Sequence, residues 1–234
     1  ETKKALEQKH LLMTFDDQNL ASYVALHGWD SPMPPKSFNP ADDTGATRDF
    51  LAISEANLGA NKANRQIMRE IFYEMTIGRD ADLVGKLTIS YANESQAETW
   101  PAGKYVNYLR VYVPFASGLL EIDNAGNTDI DQVEITNQGN LTTFATYVEV
   151  PVKSTRGITF TYRIPKNIKL ETAPTYRLYV SKQPGTDRDP FTFTFNLPQN
   201  LQIENVNGKP DQQDQQNLTI QTDLSTDRQF EIEV

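Results

Sequence analysis

One short stretch decides the fold class of this chain: Phe191-Thr192-Phe193-Thr194-Phe195. Aromatic and threonine side chains alternate along it, and a period of two puts all three rings on one face of a β-strand. The segment Thr159-Phe160-Thr161-Tyr162 follows the same pattern. A face of rings opposite a face of threonines is typical of a sheet that is buried on one side only. The two segments therefore predict an antiparallel β-sandwich.

Further blocks of β-forming residues lie on both sides of these segments. Breaks recur at Pro114, Pro151, Pro165, Pro184 and Pro198, because proline cannot donate a backbone hydrogen bond to a sheet. The predicted strands begin at residue 50 and include 67–77, 83–91, 105–113, 143–150, 158–164, 175–181, 191–196, 218–222 and 229–234, with a polar surface loop at 205–217. We predict a mainly β fold, an antiparallel immunoglobulin-like β-sandwich with a small N-terminal α/β segment.

The N-terminal residues follow a different pattern. A helix is predicted from about Asn19 to His27, with Asp16-Asp17 as its N-terminal cap and Gly28 as its stop. The proline-rich stretch Ser31–Pro35 prevents regular structure, so residues 30–48 are predicted to form a loop.

These patterns divide the chain into two parts. Residues 1–48 are expected to be a helix/strand segment with a proline-rich loop, belonging to the end of an upstream domain. Residues 49–234 are expected to form the β-sandwich region, and a division of that region near residue 165 stays open.

Composition excludes several classes of function. The 234 residues carry 22 basic and 31 acidic side chains, a formal net charge of −9, without a basic cluster in the sequence. Nucleic acid is therefore not an expected partner. No stretch approaches the roughly 20 apolar residues of a membrane-spanning helix, so we expect no direct membrane insertion of this segment. The absence of cysteine excludes disulfides, thiolate nucleophiles and cysteine-bound zinc.

Three blocks carry a family resemblance: KHLLMTF at residues 9–15 ahead of GW at 28–29, ANLGANKAN at 56–64, and YVNYLRVYVP at 105–114. In order and spacing they resemble the bacterial family catalogued as domain of unknown function number four thousand and twelve, whose members are exported, membrane-anchored cell-envelope proteins. The resemblance implies an extracytoplasmic location at the cell surface, with the anchor in an N-terminal membrane segment that is absent from this chain. The family has no established activity, so the resemblance implies no reaction.

One candidate ligand site lies in the second block, at Asn57, Asn61, Lys62 and Asn64. Three amides and one cation suit hydrogen bonding to a sugar or an anionic group. The alternative is a rigid connector, because asparagine side chains often bond to the backbone of their own loop.

Arg110 and the two tryptophans are further candidate binding residues. Alternation places Arg110 on the same strand face as Tyr108 and Tyr112, where its guanidinium suits a carboxylate or phosphate. The alternative is a packed arginine with a carboxylate partner. Trp29 and Trp100 stand beside proline-containing loops and suit stacking on sugar rings, and burial is the alternative for both.

An oxygen-rich segment suggests calcium as a cofactor. Asp123, Asn127, Asp129 and Asp131 carry oxygen ligands of the kind that calcium prefers. Their spacing does not match the calcium loop of an EF-hand, so a solvated hairpin tip is the alternative. We expect no other cofactor.

Catalytic templates are missing from the sequence. It has no Gly-x-Ser-x-Gly elbow, no His-Glu-x-x-His helix and no cysteine, so we predict no catalytic residues. We expect a non-catalytic extracytoplasmic β-sandwich module of a cell-envelope protein that serves binding or scaffolding, with envelope polysaccharide or another surface protein as the partner. The alternative is part of an enzyme that processes an envelope polymer, with its chemistry in a carboxylate pair here or in the absent N-terminal region.

Overall fold

The chain folds mainly into two β-sheets that pack face to face as a sandwich. This architecture is seen in a computed structural model that describes residues 1–35, 38, 46–80, 82–165 and 175–234. The predicted mainly β sandwich is therefore confirmed. The immunoglobulin-like subtype stays a prediction.

Two short helices precede the strands, α1 (Thr2–Glu7) and α2 (Gln18–Leu26). With strands numbered in chain order, sheet 1 runs in space as β11 (Asn205–Val206), β14 (Arg228–Glu233), β9 (Thr175–Ser181), β1 (Ala46–Asn57), β4 (Tyr105–Pro114), β7 (Leu141–Val150) and β6 (Glu134–Gln138). Sheet 2 runs as β12 (Gln212–Gln213), β13 (Asn217–Asp223), β10 (Pro190–Asn196), β2 (Ile67–Ile77), β3 (Leu83–Asn93), β8 (Ser154–Ile164) and β5 (Gly118–Asn124).

Both sheets are mixed rather than purely antiparallel. β1 pairs parallel with β9, and β2 pairs parallel with β10. The alternation of buried and exposed residues is the same in both kinds of pairing, so the sequence pattern did not reveal these two. The pairings also bear on the open division near residue 165, because β9 and β10 join the same two sheets as the strands before it.

The strands that the sequence missed lie at sheet edges. β5 buries Ile122, and every residue of β6 is exposed. β11 and β12, of two residues each, fall inside the predicted loop 205–217. Edge strands bury few side chains, so they lack the alternation by which central strands are recognised.

Residues 1–35 form two helices and no strand, which corrects the predicted helix/strand segment. The predicted helix is present as α2, and the Asp17 carboxylate accepts hydrogen bonds from the backbone N–H groups of Asn19 and Leu20, both at 3.0 Å. Of the predicted loop 30–48, residues 36–37 and 39–45 lie outside the described residues, and the last three belong to β1.

The sandwich core contains a buried carboxyl group among tyrosines. Asp49 of β1 has no exposed surface, and it accepts hydrogen bonds from the hydroxyls of Tyr73 and Tyr176, both at 2.6 Å. The hydroxyl of Tyr162 donates in turn to that of Tyr73 at 3.1 Å. Burial raises the pKa of Asp49 to about 6, although the hydrogen bonds act in the opposite direction.

Gly85 of β3 makes room for two of these rings. A Cβ atom at this position would lie 2.9 Å from both Tyr162 Cζ and the Tyr73 hydroxyl oxygen. The core therefore requires glycine here because the rings approach the backbone closely.

Candidate functional site

A cleft of about 1080 Å³ opens at the end of the sandwich where β1 ends and β2 begins. Its lining comes from the N-terminal residues 4–10, the connector 55–69 and the segment 183–190 between β9 and β10. These three segments form the walls and floor of the site, and each is fixed by internal contacts.

Lys9 clamps the N-terminal wall to the sandwich. Only 6% of this residue is exposed, and its ammonium group lies 2.6 Å from the carboxylate of Asp227. It also donates to Ser181 Oγ at 3.0 Å. Asp227 is itself fixed, because it accepts hydrogen bonds from the Tyr179 hydroxyl and the Lys182 backbone. The clamp holds Lys4 and His10 at the cleft.

Asparagine side chains brace the second wall from within. Asn57 Nδ2 donates to the side-chain and backbone oxygens of Asn61, at 3.0 and 3.1 Å. Asn61 Nδ2 donates to the Lys104 carbonyl at 2.9 Å, and Asn61 Oδ1 accepts from the Ala63 N–H at 3.0 Å. These contacts correspond to the connector alternative for Asn57 and Asn61. They leave Lys62 and Asn64 exposed at the cleft.

The third wall is fixed by a buried lysine and an amide. Lys182 Nζ donates to the carbonyls of Gln183 and Thr186 inside the loop, at 3.1 and 2.5 Å. Burial lowers the pKa of Lys182. The Gln183 side chain pairs with the backbone of Glu55, accepting from its N–H at 2.9 Å and donating to its carbonyl at 3.3 Å. The loop is therefore joined to the end of β1.

The cleft floor is an ion-pair cluster around Arg69. Its guanidinium lies 2.7 Å from Glu55 Oε2 and 3.2 Å from Asp189 Oδ1. The Tyr105 hydroxyl donates to the same Glu55 oxygen at 3.2 Å. Burial lowers the pKa of Arg69, but the charges of Glu55 and Asp189 outweigh it and raise this pKa well above its ordinary value. Burial raises the pKa of Tyr105.

The second oxygen of Glu55 is buried and has no protein hydrogen-bond partner. A void of about 20 Å³ borders Glu55, Arg69 and Asp189. A void of this size has room for one water molecule, and an internal water suits an otherwise unpartnered carboxylate oxygen.

The two tryptophans lie in different surroundings. Trp100 is 75% exposed. It precedes Pro101, whose carbonyl accepts a hydrogen bond from the Lys62 N–H at 2.6 Å, so Trp100 is adjacent to the second wall. Trp29 lies among aromatic rings of the N-terminal segment, 4.7 Å from the His27 ring and 6.0 Å from the Tyr23 ring between centroids. Trp29 does not line the cleft.

Arg110 lies on the outer face of sheet 1, away from the residues that line the cleft. Its guanidinium sits 5.8 Å from the centre of the Tyr108 ring and donates to Ser54 Oγ at 3.2 Å. The expected carboxylate is not its neighbour among the described residues, since Glu134 accepts instead from the Tyr108 hydroxyl at 3.0 Å. The face also presents Tyr147, with its ring 5.1 Å from that of Tyr108.

The predicted calcium ligands serve the backbone of their own turn. Asp123 accepts from the Gly126 N–H at 2.7 Å, Asn127 from the Asp129 N–H at 3.1 Å, and Asp129 from the Asp131 N–H at 3.1 Å. Within the described part of the chain, no three acidic or histidine side chains converge as a metal site requires. Calcium binding at this turn stays a prediction without a preformed site.

Sequence reasoning missed most of the cleft. Lys4, His10, Arg65, Arg69 and Arg188 line it together with Lys62, yet they come from segments far apart in the chain. Lys62 and Arg65 were the one local sign, three residues apart next to the predicted asparagine segment.

Comparison with known proteins gives no family for the chain. No family model matches the sequence, and no curated protein matches it. Among the described residues, no helix is long and apolar enough to cross a membrane.

Solved structures show only distant similarity. A putative nutrient binding protein from Legionella pneumophila matches with a TM-score of 0.47 and 6% identity, over 81% of this chain and 72% of its own. Yeast leukotriene A4 hydrolase in complex with bestatin matches with a TM-score of 0.41 and 8% identity, over 74% of this chain. A zinc metallopeptidase from Deinococcus radiodurans matches with a TM-score of 0.37 and 10% identity, over 73% of this chain. The chain spans 30% of the hydrolase and 43% of the metallopeptidase, and similarity at this level carries no argument about function.

Proposed function

We propose that the chain is a non-catalytic binding module of a bacterial cell-envelope protein, and that it takes an envelope polysaccharide in the cleft. The observation that carries the proposal is the open cleft with walls fixed by buried contacts and an exposed Trp100 beside one wall. Fixed walls reduce the entropy that a site loses when it binds a ligand. An exposed indole ring offers the flat apolar face on which a sugar ring stacks. The envelope location rests on the resemblance of the three sequence blocks.

The test is retention of the purified chain on beads coated with isolated bacterial wall polysaccharide. Trp100→Ala should reduce retention without unfolding the chain, because the ring is exposed. Tyr147→Ala is the matched control, since this aromatic residue is also exposed but lies on the outer face of sheet 1. Loss of retention in Tyr147→Ala alone would move the site to that face. An unretained wild-type chain would rule out polysaccharide binding, and a requirement for calcium would implicate the turn at residues 123–131.

A catalytic role has one specific observation in its favour. Glu55 and Asp189 form a carboxylate pair at the floor of the cleft, and glycoside hydrolysis uses two carboxyl groups. Arg69 lies between them and forms ion pairs with both, which favours a structural role for the pair. Release of reducing ends from the retained polysaccharide, abolished by Glu55→Gln, would establish the catalytic alternative.

A further inference from the structure

The charges that line the cleft do not balance. Its three acidic side chains already have basic neighbours. Glu55 and Asp189 are paired with Arg69, and Asp187 lies 3.8 Å from His10. Arg188, in turn, is paired with Asp223, at 3.1 Å.

Three basic groups remain at the rim, Lys4, Lys62 and Arg65. All three side chains are exposed, and none forms an ion pair with another described residue. Lys4 belongs to the N-terminal wall, and Lys62 and Arg65 belong to the connector wall. A ligand in the cleft therefore meets positive charge from two sides.

The local charge outweighs the net charge of −9 at this position. Salt screens exposed charges beyond roughly 8 Å at physiological ionic strength, so acidic groups elsewhere on the surface contribute little inside the cleft. Charges that line a concave site also act together, because the low-dielectric walls focus their field.

Resting on the proposed binding function, we infer that the ligand is an anionic polymer, one whose sugar or polyol units carry carboxylate or phosphate groups. Lys4, Lys62 and Arg65 would contact those charged groups, and arginine matches both anions through two parallel hydrogen bonds. Asn64 and Trp100 would contact the hydroxyl groups and ring faces beside them.

The experiment measures affinity for three soluble probes: alginate oligomers as a polyuronate, polyglycerol phosphate as a phosphodiester polymer, and dextran as a neutral polymer. Wild-type protein should bind at least one anionic probe about tenfold or more tightly than dextran. Preference for alginate identifies carboxylate as the recognised group, and preference for polyglycerol phosphate identifies phosphate.

Lys62→Gln/Arg65→Gln should weaken that binding by about tenfold. Lys86→Gln/Arg163→Gln removes the same charge from exposed positions on the outer face of sheet 2 and should leave the affinity unchanged. Equal loss in both variants would overturn the inference by showing a nonspecific charge effect.

Two outcomes separate this inference from the proposed function. Equal affinity for dextran and the anionic probes would overturn the inference and keep the binding function. Absence of binding to every polymer, including wall polysaccharide, would overturn both. Tighter binding of a single-stranded DNA oligonucleotide than of either anionic polymer would also overturn the inference, because the cleft would then serve a different class of macromolecule.

Discussion

Asp49 shows how a single buried carboxyl group ties stability to pH. Its pKa is about 6 in the folded chain, against 3.8 for an ordinary aspartate. The protonated form is therefore favoured by folding. Its contribution to stability is complete below pH 3.8 and is lost as the pH rises through 6.

We predict that Asp49→Asn removes this pH dependence. The free energy of unfolding of the wild type, relative to that of the variant, should fall by about 3 kcal/mol between pH 4 and pH 7. Urea denaturation across this range measures the difference. Asp131→Asn, which removes an exposed carboxylate, should leave the wild-type pH profile intact. A constant difference between wild type and Asp49→Asn would show that Asp49 is ionised throughout.

The measurement separates Asp49 from another shifted carboxyl group. Hydrogen bonds from Ser225, together with Arg228 and Arg188, lower the pKa of Asp223 to about 2. Its contribution is lost as the pH falls from about 3.8 toward 2, below the range in which Asp49 titrates. Comparison of two chains that both contain Asp223 removes this effect.

Gly85 allows a second prediction at the scale of one residue. Gly85→Ala should lower the free energy of unfolding by about 1–3 kcal/mol, because the added methyl group meets two buried tyrosine rings. Gly157→Ala is the matched control on the adjacent strand, where a Cβ meets no atom within 4 Å. Thermal or urea unfolding compares the two. Equal stability of the variants would mean that the rings move aside.

At the scale of elements, Lys9 joins the N-terminal segment to the sandwich. Lys9→Met should destabilise the chain by about 2–3 kcal/mol, less than for a fully buried pair because Asp227 is a quarter exposed. Lys3→Met removes an exposed i,i+4 pair with Glu7 and should change stability by less than about 0.5 kcal/mol. Urea denaturation measures both, and hydrogen exchange in α1 should rise only in Lys9→Met. Equal effects of the two substitutions would contradict the clamp.

Central elements could be predicted from the sequence, because each depends on its own alternation. β2 and β9 begin and end at the predicted residues, and the hairpin between β2 and β3 is present. The contacts that build the cleft and the buried cluster could not be predicted in this way. Asp49 meets Tyr176 across 127 positions, and Lys9 meets Ser181 across 172. Such pairs leave no local periodicity, so only the Asn57–Asn64 part of the site was visible.

At the scale of the whole molecule, the cleft exists because three distant segments meet at one end of the sandwich. β1 ends there, β2 begins there, and the segment between β9 and β10 passes over the same end. The parallel pairings β1–β9 and β2–β10 bring these segments together. Loops on a rigid scaffold of this kind are where binding residues usually lie.

Hydrogen exchange of the chain with and without bound alginate oligomers tests the location of the binding site most directly. We expect slower exchange at residues 4–10, 58–66 and 183–190, because a ligand in the cleft shields all three walls. Exchange in β6 and β7, on the opposite part of sheet 1, should stay unchanged. Protection confined to β6 and β7, or to the turn at residues 123–131, would show that the cleft is not the binding site.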